Sequence, residues 1–282
     1  DLPTLSQHFI DNGYFAARVG KIYHYGVPLQ IGTSGEDDEK SWNRVANPIG
    51  IDRTQLDPVS TLMKAKYGGT ISWRIVESKD EDHTDGKGAI DAIQIMKEHH
   101  PDKTGMPFFL AMGFFRPHTP YVAPAHYAKL YPLEKIIPLM EKAGDRNDIP
   151  SLALHDRPHQ RELSLSKRKE IIQAYYSSIT LMDACVGKLM DALDKLKLTE
   201  NMINVINFET GRLYTQEEFS IRDLKKTGPR VKNRVGWWRK NWNMNQINNN
   251  SVKNNSKIKT ALINPLPQTV QQRTIRKSWK LF

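Results

Sequence analysis

The sequence predicts an α/β domain: a mostly parallel sheet flanked by helices, followed by a tail that does not fold with it. Three observations carry this. Apolar strand-like runs alternate with amphipathic helical stretches in the first two thirds of the chain. Pro107 to Gly113 is a continuous apolar run, the mark of a buried parallel strand. Composition then changes abruptly near residue 210: residues 211–282 hold 16 Lys/Arg against 3 Asp/Glu, whereas residues 1–210 hold 25 against 28. The net charge of +10 therefore belongs to the tail, and all nine histidines lie at or before His159.

Taken in order, Leu5 to Asn12 reads as a short helix closed by Gly13. Tyr14 to Gly20 reads as a strand. Residues 25–58, rich in Gly, Pro, Asp and Asn, read as a long surface loop, with the acidic run Glu36-Asp37-Asp38-Glu39 solvated. Asp85 to His100 reads as a helix with Ala89, Ile93 and Met96 on one face. Tyr121 to Asp148, interrupted by prolines, reads as loop with a short helix near His126 to Leu130. The longest helix runs from about Lys167 to Lys197, with Ile172, Tyr175, Ile179, Met182, Val186, Leu189, Leu193 and Leu196 at helical spacing. Met202 to Phe208 fits a closing strand only in part, because Asn204 and Asn207 are poor strand formers. Beyond Gly211 no apolar period survives, and eight of the fifteen residues from 241 to 255 are Asn. Such a segment buries too little apolar surface to offset its ordering entropy.

Several function classes are excluded or demoted. No run of 18 apolar residues exists, so no membrane-spanning helix is expected. The lone Cys185 sits inside the longest helical pattern and reads as a packing residue. Cys/His zinc spacing, a phosphate-cradling Gly-rich loop and a Gly-x-Ser-x-Gly elbow are all absent. Trp237-Trp238-Arg239-Lys240-Asn241-Trp242 has the composition of a single-strand nucleic-acid platform, but no folded scaffold surrounds it, so nucleic acid is not the expected partner. The chain starts at Asp1 rather than Met, which reads as a processed form or a portion of a protein.

Two loops carry the chemistry. Lys21 and His24 follow the first strand, and Arg116 and His118 follow the second, in a loop stiffened by Pro117 and Pro120. In open α/β sheets ligands bind beyond the carboxyl ends of strands. A cation and an imidazole at such a place suit an anionic substrate, the imidazole also moving a proton near neutral pH. On spacing alone a surface Lys with a structural His stands beside this reading.

Gly13-Tyr14 followed by Val19-Gly20-Lys21-Ile22-Tyr23-His24 resembles the second signature of the sulfatases. Phe108-Phe109-Leu110-Ala111-Met112-Gly113 with Arg116-Pro117-His118-Thr119-Pro120 is similar to the iduronate 2-sulfatase branch. So are Leu130-Tyr131-Pro132-Leu133-Glu134 and Tyr175-Tyr176-Ser177-Ser178 with Asp183 and Gly187. The resemblance covers about residues 2–203. It implies an alkaline-phosphatase-like fold and hydrolysis of a sulfate ester on a sulfated sugar or glycosaminoglycan-like substrate. It further implies a formylglycine nucleophile made from a Cys or Ser, a bound calcium ion, and a periplasmic, secreted or lysosomal location. Lys21 would contact sulfate and formylglycine, His24 would orient the formylglycine, and His118, with Arg116 near it, would sit by the bridging oxygen and sulfate.

The departures are equally specific. No C/S-x-P-x-R motif occurs in the 282 residues, and the family's Asp-Asp metal pair is also missing. Both are expected upstream of Asp1, so residues 1–203 read as a partial catalytic domain, itself inactive. Where the family has Asp-His-Gly this chain has Glu209-Thr210-Gly211, leaving Glu209 as a weak metal ligand. Residues 204–282 read as a divergent basic tail, as a shifted reading frame would produce. A phosphatase or phosphodiesterase of the same superfold, and a non-catalytic glycan- or nucleic-acid-binding protein, are the alternatives.

Overall fold

A computed structural model describes residues 3–64, 66–138, 143–144, 146–153, 158–161, 163–206 and 260–263. In chain order the helices are α1 (Leu5–Asp11), α2 (Ile51–Thr54), α3 (Thr84–Glu98), α4 (Pro101–Thr104), α5 (Ala125–Ala128), α6 (Pro158–Arg161) and α7 (Leu165–Lys195). The strands are β1 (Phe15–Gly20), β2 (Arg44–Ala46), β3 (Ser60–Thr61), β4 (Ser72–Val76), β5 (Phe108–Gly113), β6 (Tyr121–Pro124), β7 (Ile203–Ile206) and β8 (Thr260–Ile263).

The main sheet has the order β2-β1-β5-β8-β7. Its centre is parallel, as the apolar run of β5 predicts: Phe15 pairs with Phe108 and the register holds through Gly20 and Gly113. Every residue of β5 is buried, so both faces are covered. β8 runs antiparallel to β5 and to β7, which gives β7 the same sense as β5. A second sheet, β3-β4-β6, pairs Trp73 with Tyr121 in parallel.

Two helices build the core between these sheets. α1 starts with a reciprocal capping box between Thr4 and Gln7, and Gly13 follows it at φ +80°. α3 lays Ala89, Ala92, Ile95 and Met96 against Val19, Leu110 and Met112. α7, capped by Ser164, adds Leu181, Cys185, Leu189 and Leu193 to the same core. Its first turns instead pack Ile171 and Ala174 on Trp73 and Tyr121 of the second sheet. One long helix therefore ties both sheets together. Cys185 is fully buried and its thiol is pushed up, chiefly by burial, in keeping with a packing role. No helix among the described residues is long and apolar enough to cross a membrane.

The structure corrects three expectations. Residues 25–58 are not one open loop: Arg44–Ala46 forms the edge strand β2, parallel to β1. The acidic run is not simply solvated, because Asp37 closes on the buried Arg18 of β1, at 2.6 Å from Nε, and also accepts from Trp42 Nε1 at 3.0 Å. A buried guanidinium needs such a partner. Tyr121–Pro124 is a strand rather than loop, its flanking prolines masking a β-prone Tyr-Val-Ala core. Strand β7 spans Ile203–Ile206, and Thr260–Ile263 forms strand β8 beside it. Ala261, Leu262 and Ile263 supply an apolar run, and the ladder satisfies the backbone groups that β5 and β7 would otherwise leave open. Glu209-Thr210-Gly211, the tryptophan-rich patch and the Asn-rich stretch lie outside the described residues.

Leu181 is wholly buried where α7 meets α3 and the main sheet. Leu181→Ala should lower the unfolding free energy by about 3 kcal/mol, the usual cost of a deleted core leucine. Urea denaturation reads this, and a loss under about 1 kcal/mol would contradict the packing.

Candidate active site

The site begins with two glycines. β1 ends at Gly20 and β5 ends at Gly113, side by side in register. Lys21 N donates to Gly113 O at 3.0 Å, so the chains leave the sheet in contact. A Cβ at Gly113 would lie 1.8 Å from Lys21 O, and one at Gly20 would lie 2.3 Å from Gly113 O. Gly20 also sits at φ +69°, where a side chain adds strain. Only glycine at both ends lets the two loops start this close together, at the carboxyl edge of the parallel strands.

Beyond that point apolar side chains pin the loops and polar ones are left at the surface. Ile22 enters a cluster with Ala16, Phe109 and Ala111. Tyr25 packs edge-on to Phe115 with ring centroids 5.4 Å apart, which joins the first loop to the second. Between these anchors Lys21 is half-buried and His24 is exposed. In the second loop Phe114, Phe115 and Arg116 are buried, while His118 keeps an exposed edge.

Lys21, His24, Arg116 and His118 are brought together. The His118 pKa lies below the ordinary histidine value, first through desolvation and then through the positive charges of Lys21, Arg116 and His24. His118 Nδ1 lies 2.6 Å from Thr119 O. A carbonyl can only accept, so Nδ1 carries the proton and Nε2 of the neutral ring is left to accept. Thr119 is itself stitched to the second sheet: its Oγ1 accepts from Ser72 N at 3.0 Å and donates to Thr70 O at 3.2 Å. The arrangement is a neutral imidazole held beside two cations, which an incoming anion would favour becoming charged.

The Arg116 side chain is turned into the interior. It is 3% exposed, its Nη2 donates to Asp52 Oδ2, and its Nη1 donates to His118 O at 3.2 Å. A guanidinium buried this deeply needs a carboxylate partner, and Asp52 is that partner. The acids behind it were not singled out by sequence. Asp52 Oδ1 accepts from Thr84 N at 2.8 Å and Thr84 Oγ1 at 2.7 Å, which caps α3 from outside the helix. Asp85 Oδ1 and Oδ2 accept from Phe115 N at 2.8 Å and Arg116 N at 2.9 Å. Burial pushes Asp52 up, yet Arg116 and Thr84 outweigh it and hold the carboxylate below its ordinary value. Burial of Asp85 prevails and pushes it up to about 6. One sequence signal existed: Asp85 shares the face of Ala89, Ala92 and Met96, the face that is buried.

Among the described residues no group of three or more His, Cys, Asp or Glu is placed to hold a metal ion. The described residues therefore do not fit a calcium ion.

His83, 1% exposed beside this cluster, is depressed to about 4, mainly by desolvation. Its Nε2 meets Ser78 Oγ at 2.8 Å, and its Nδ1 is buried without a partner. A depressed base stabilises the fold above its unfolded value and loses that contribution as pH falls. The advantage of the unsubstituted chain over His83→Gln should shrink by about 3 kcal/mol as pH falls from about 6.5 to about 4. Denaturant unfolding across that range reads it, and a pH-independent difference would contradict the assignment.

No family model matches the chain. Curated proteins do. A sulfatase of Formosa agariphila is 30% identical over 215 residues, 73% of this chain and 41% of that protein. Human iduronate 2-sulfatase is 26% identical over 238 residues, and the mouse enzyme 25% over 225, each covering 74% of this chain and 40% of the relative. The chain thus spans about two fifths of the length of the curated relatives it matches. With that extent, it belongs to the sulfatase family, whose members are sulfuric ester hydrolases.

Proposed function

We propose that this chain supplies the sulfate-facing side of a sulfate-ester hydrolase site, with Lys21, His24 and His118 as its working residues. The observation that carries the reading is their convergence past adjacent parallel strands, where a partly desolvated imidazole lies beside the Lys21 and Arg116 cations. The Lys21 ammonium balances the charge of a sulfate group as a point cation. The exposed His24 adds a second imidazole at the same rim. Sulfate bound there raises the His118 pKa, so that Nε2 takes up a proton. Nδ1, held by Thr119 O, fixes the ring. The sulfuryl group passes to an oxygen nucleophile that residues 1–203 do not supply; as the ester S–O bond breaks, the electron pair stays on the leaving oxygen, which takes the Nε2 proton and leaves His118 neutral.

The substrate class that fits is a sulfated sugar or glycosaminoglycan-like chain, as the names of two relatives suggest. The alkaline-phosphatase-like fold is part of the same reading. Formylglycine and calcium belong to it as family expectations, and no described residue is assigned to either. Residues 1–203 act in this reading as a partial catalytic domain.

Titration with inorganic sulfate should raise the His118 pKa, followed by NMR of the labelled ring. Lys21→Met should weaken sulfate binding roughly tenfold, the loss of one charge-assisted contact. A His118 titration that ignores sulfate would overturn the reading. Because its 282 residues contain no C/S-x-P-x-R motif, the chain alone should not turn over an aryl sulfate. Measurable turnover abolished by Lys21→Met would show that another group in the chain serves as nucleophile.

A further inference from the structure

We propose that Asp85 is a positioning residue for His118: with Asp52 beside it, its carboxylate fixes the loop that holds the imidazole against Lys21 and His24. The purpose of this role rests on the sulfate-ester reading, but its geometry does not.

Asp85 stands in the first turn of α3, where a carboxylate ordinarily caps its own helix. Here both oxygens turn outward instead. Oδ1 takes the N–H of Phe115 at 2.8 Å and Oδ2 takes that of Arg116 at 2.9 Å. Those two residues then hold His118 at both ends of its backbone. His118 N donates to Phe115 O at 2.9 Å, and Arg116 Nη1 donates to His118 O at 3.2 Å. Asp52 completes the grip by taking Arg116 Nη2, while its other oxygen takes Thr84 N, the residue next to Asp85. Backbone and side chain of Arg116 are therefore each held by one buried acid, and both acids are tied to the start of α3.

Burial argues that the carboxylate is there for these bonds. Asp85 is 2% exposed, and its helix neighbours on the buried face are Gly88, Ala89, Ala92, Ile95 and Met96. An uncharged side chain would avoid the desolvation that raises it, whereas two adjacent loop N–H groups would lose their acceptors. The charged groups around it are Arg116 and Asp52, with the Cys185 thiol of α7 nearby.

The test is a double-variant cycle on the 282-residue chain, read through the His118 ring pKa by NMR. In the unsubstituted background Lys21→Met should raise that pKa by roughly half a unit, since one nearby cation is removed. In Asp85→Asn the same Lys21 effect should fall to less than half, because the loop no longer holds the ring in place. An equal Lys21 effect in both backgrounds overturns the proposal. If Asp85→Asn does not fold, hydrogen exchange on the unsubstituted chain decides. The Phe115 and Arg116 amides should be protected like those of β5, and loop-like exchange overturns the proposal. Inorganic sulfate separates the two ideas. If sulfate leaves His118 unmoved while the Lys21 effect still depends on Asp85, the positioning role stands and the sulfate reading fails.

Discussion

The site depends on how closely two backbones can approach. Gly20 and Gly113 end adjacent parallel strands at the same level, and Lys21 N reaches Gly113 O across the gap. Any Cβ at either position would drive into a carbonyl. A wider gap would separate the loop of Lys21 and His24 from the loop of Arg116 and His118. The electrostatic coupling among these four groups is thus a consequence of a steric condition on two residues that carry no chemistry.

Behind the loops lies an interior rich in charge. Asp52, His83, Asp85 and Arg116 are each at most 3% exposed, and they sit together where α2 and α3 meet the second loop. A buried charge is tolerated where opposite charge and hydrogen bonds replace its water. Arg116 has Asp52 and the His118 carbonyl, and Asp52 has Thr84 as well. Asp85 has two backbone N–H groups and shifts upward, while His83 shifts downward and stays neutral. The cluster limits its net charge by letting two members give up theirs near neutral or acid pH. The same cluster anchors the loop that carries His118, so core electrostatics and site geometry are one arrangement.

Much of the fold was legible because its elements follow strong local rules. Helices α1, α3 and α7 lie within a few residues of where periodicity and capping put them, and β1 and β5 are found as expected. The loops after those two strands lie close enough for Lys21 and His24 to act on the His118 ring. The second sheet was not legible. β4 and β6 are held by pairing with each other and by packing under α7, and Pro120 and Pro124 disguise β6. Nor could composition show that Asp37 turns inward, since nothing local to an acidic run says that Arg18 waits in the neighbouring strand.

The sequence by itself marked an ammonium and two imidazoles just past strand ends, because these are local features with local signals. It also determined the family, through the spacing of those residues and the strands before them. Only the tertiary structure decided what Arg116 does. Its type and position suit a substrate anion, yet it is turned into the interior by Asp52, a residue 64 positions away. Burial and pairing are properties of the packed whole: a guanidinium points wherever its desolvation is best compensated. Here that place is a carboxylate held at the start of α3, and His118, not Arg116, is left facing solvent.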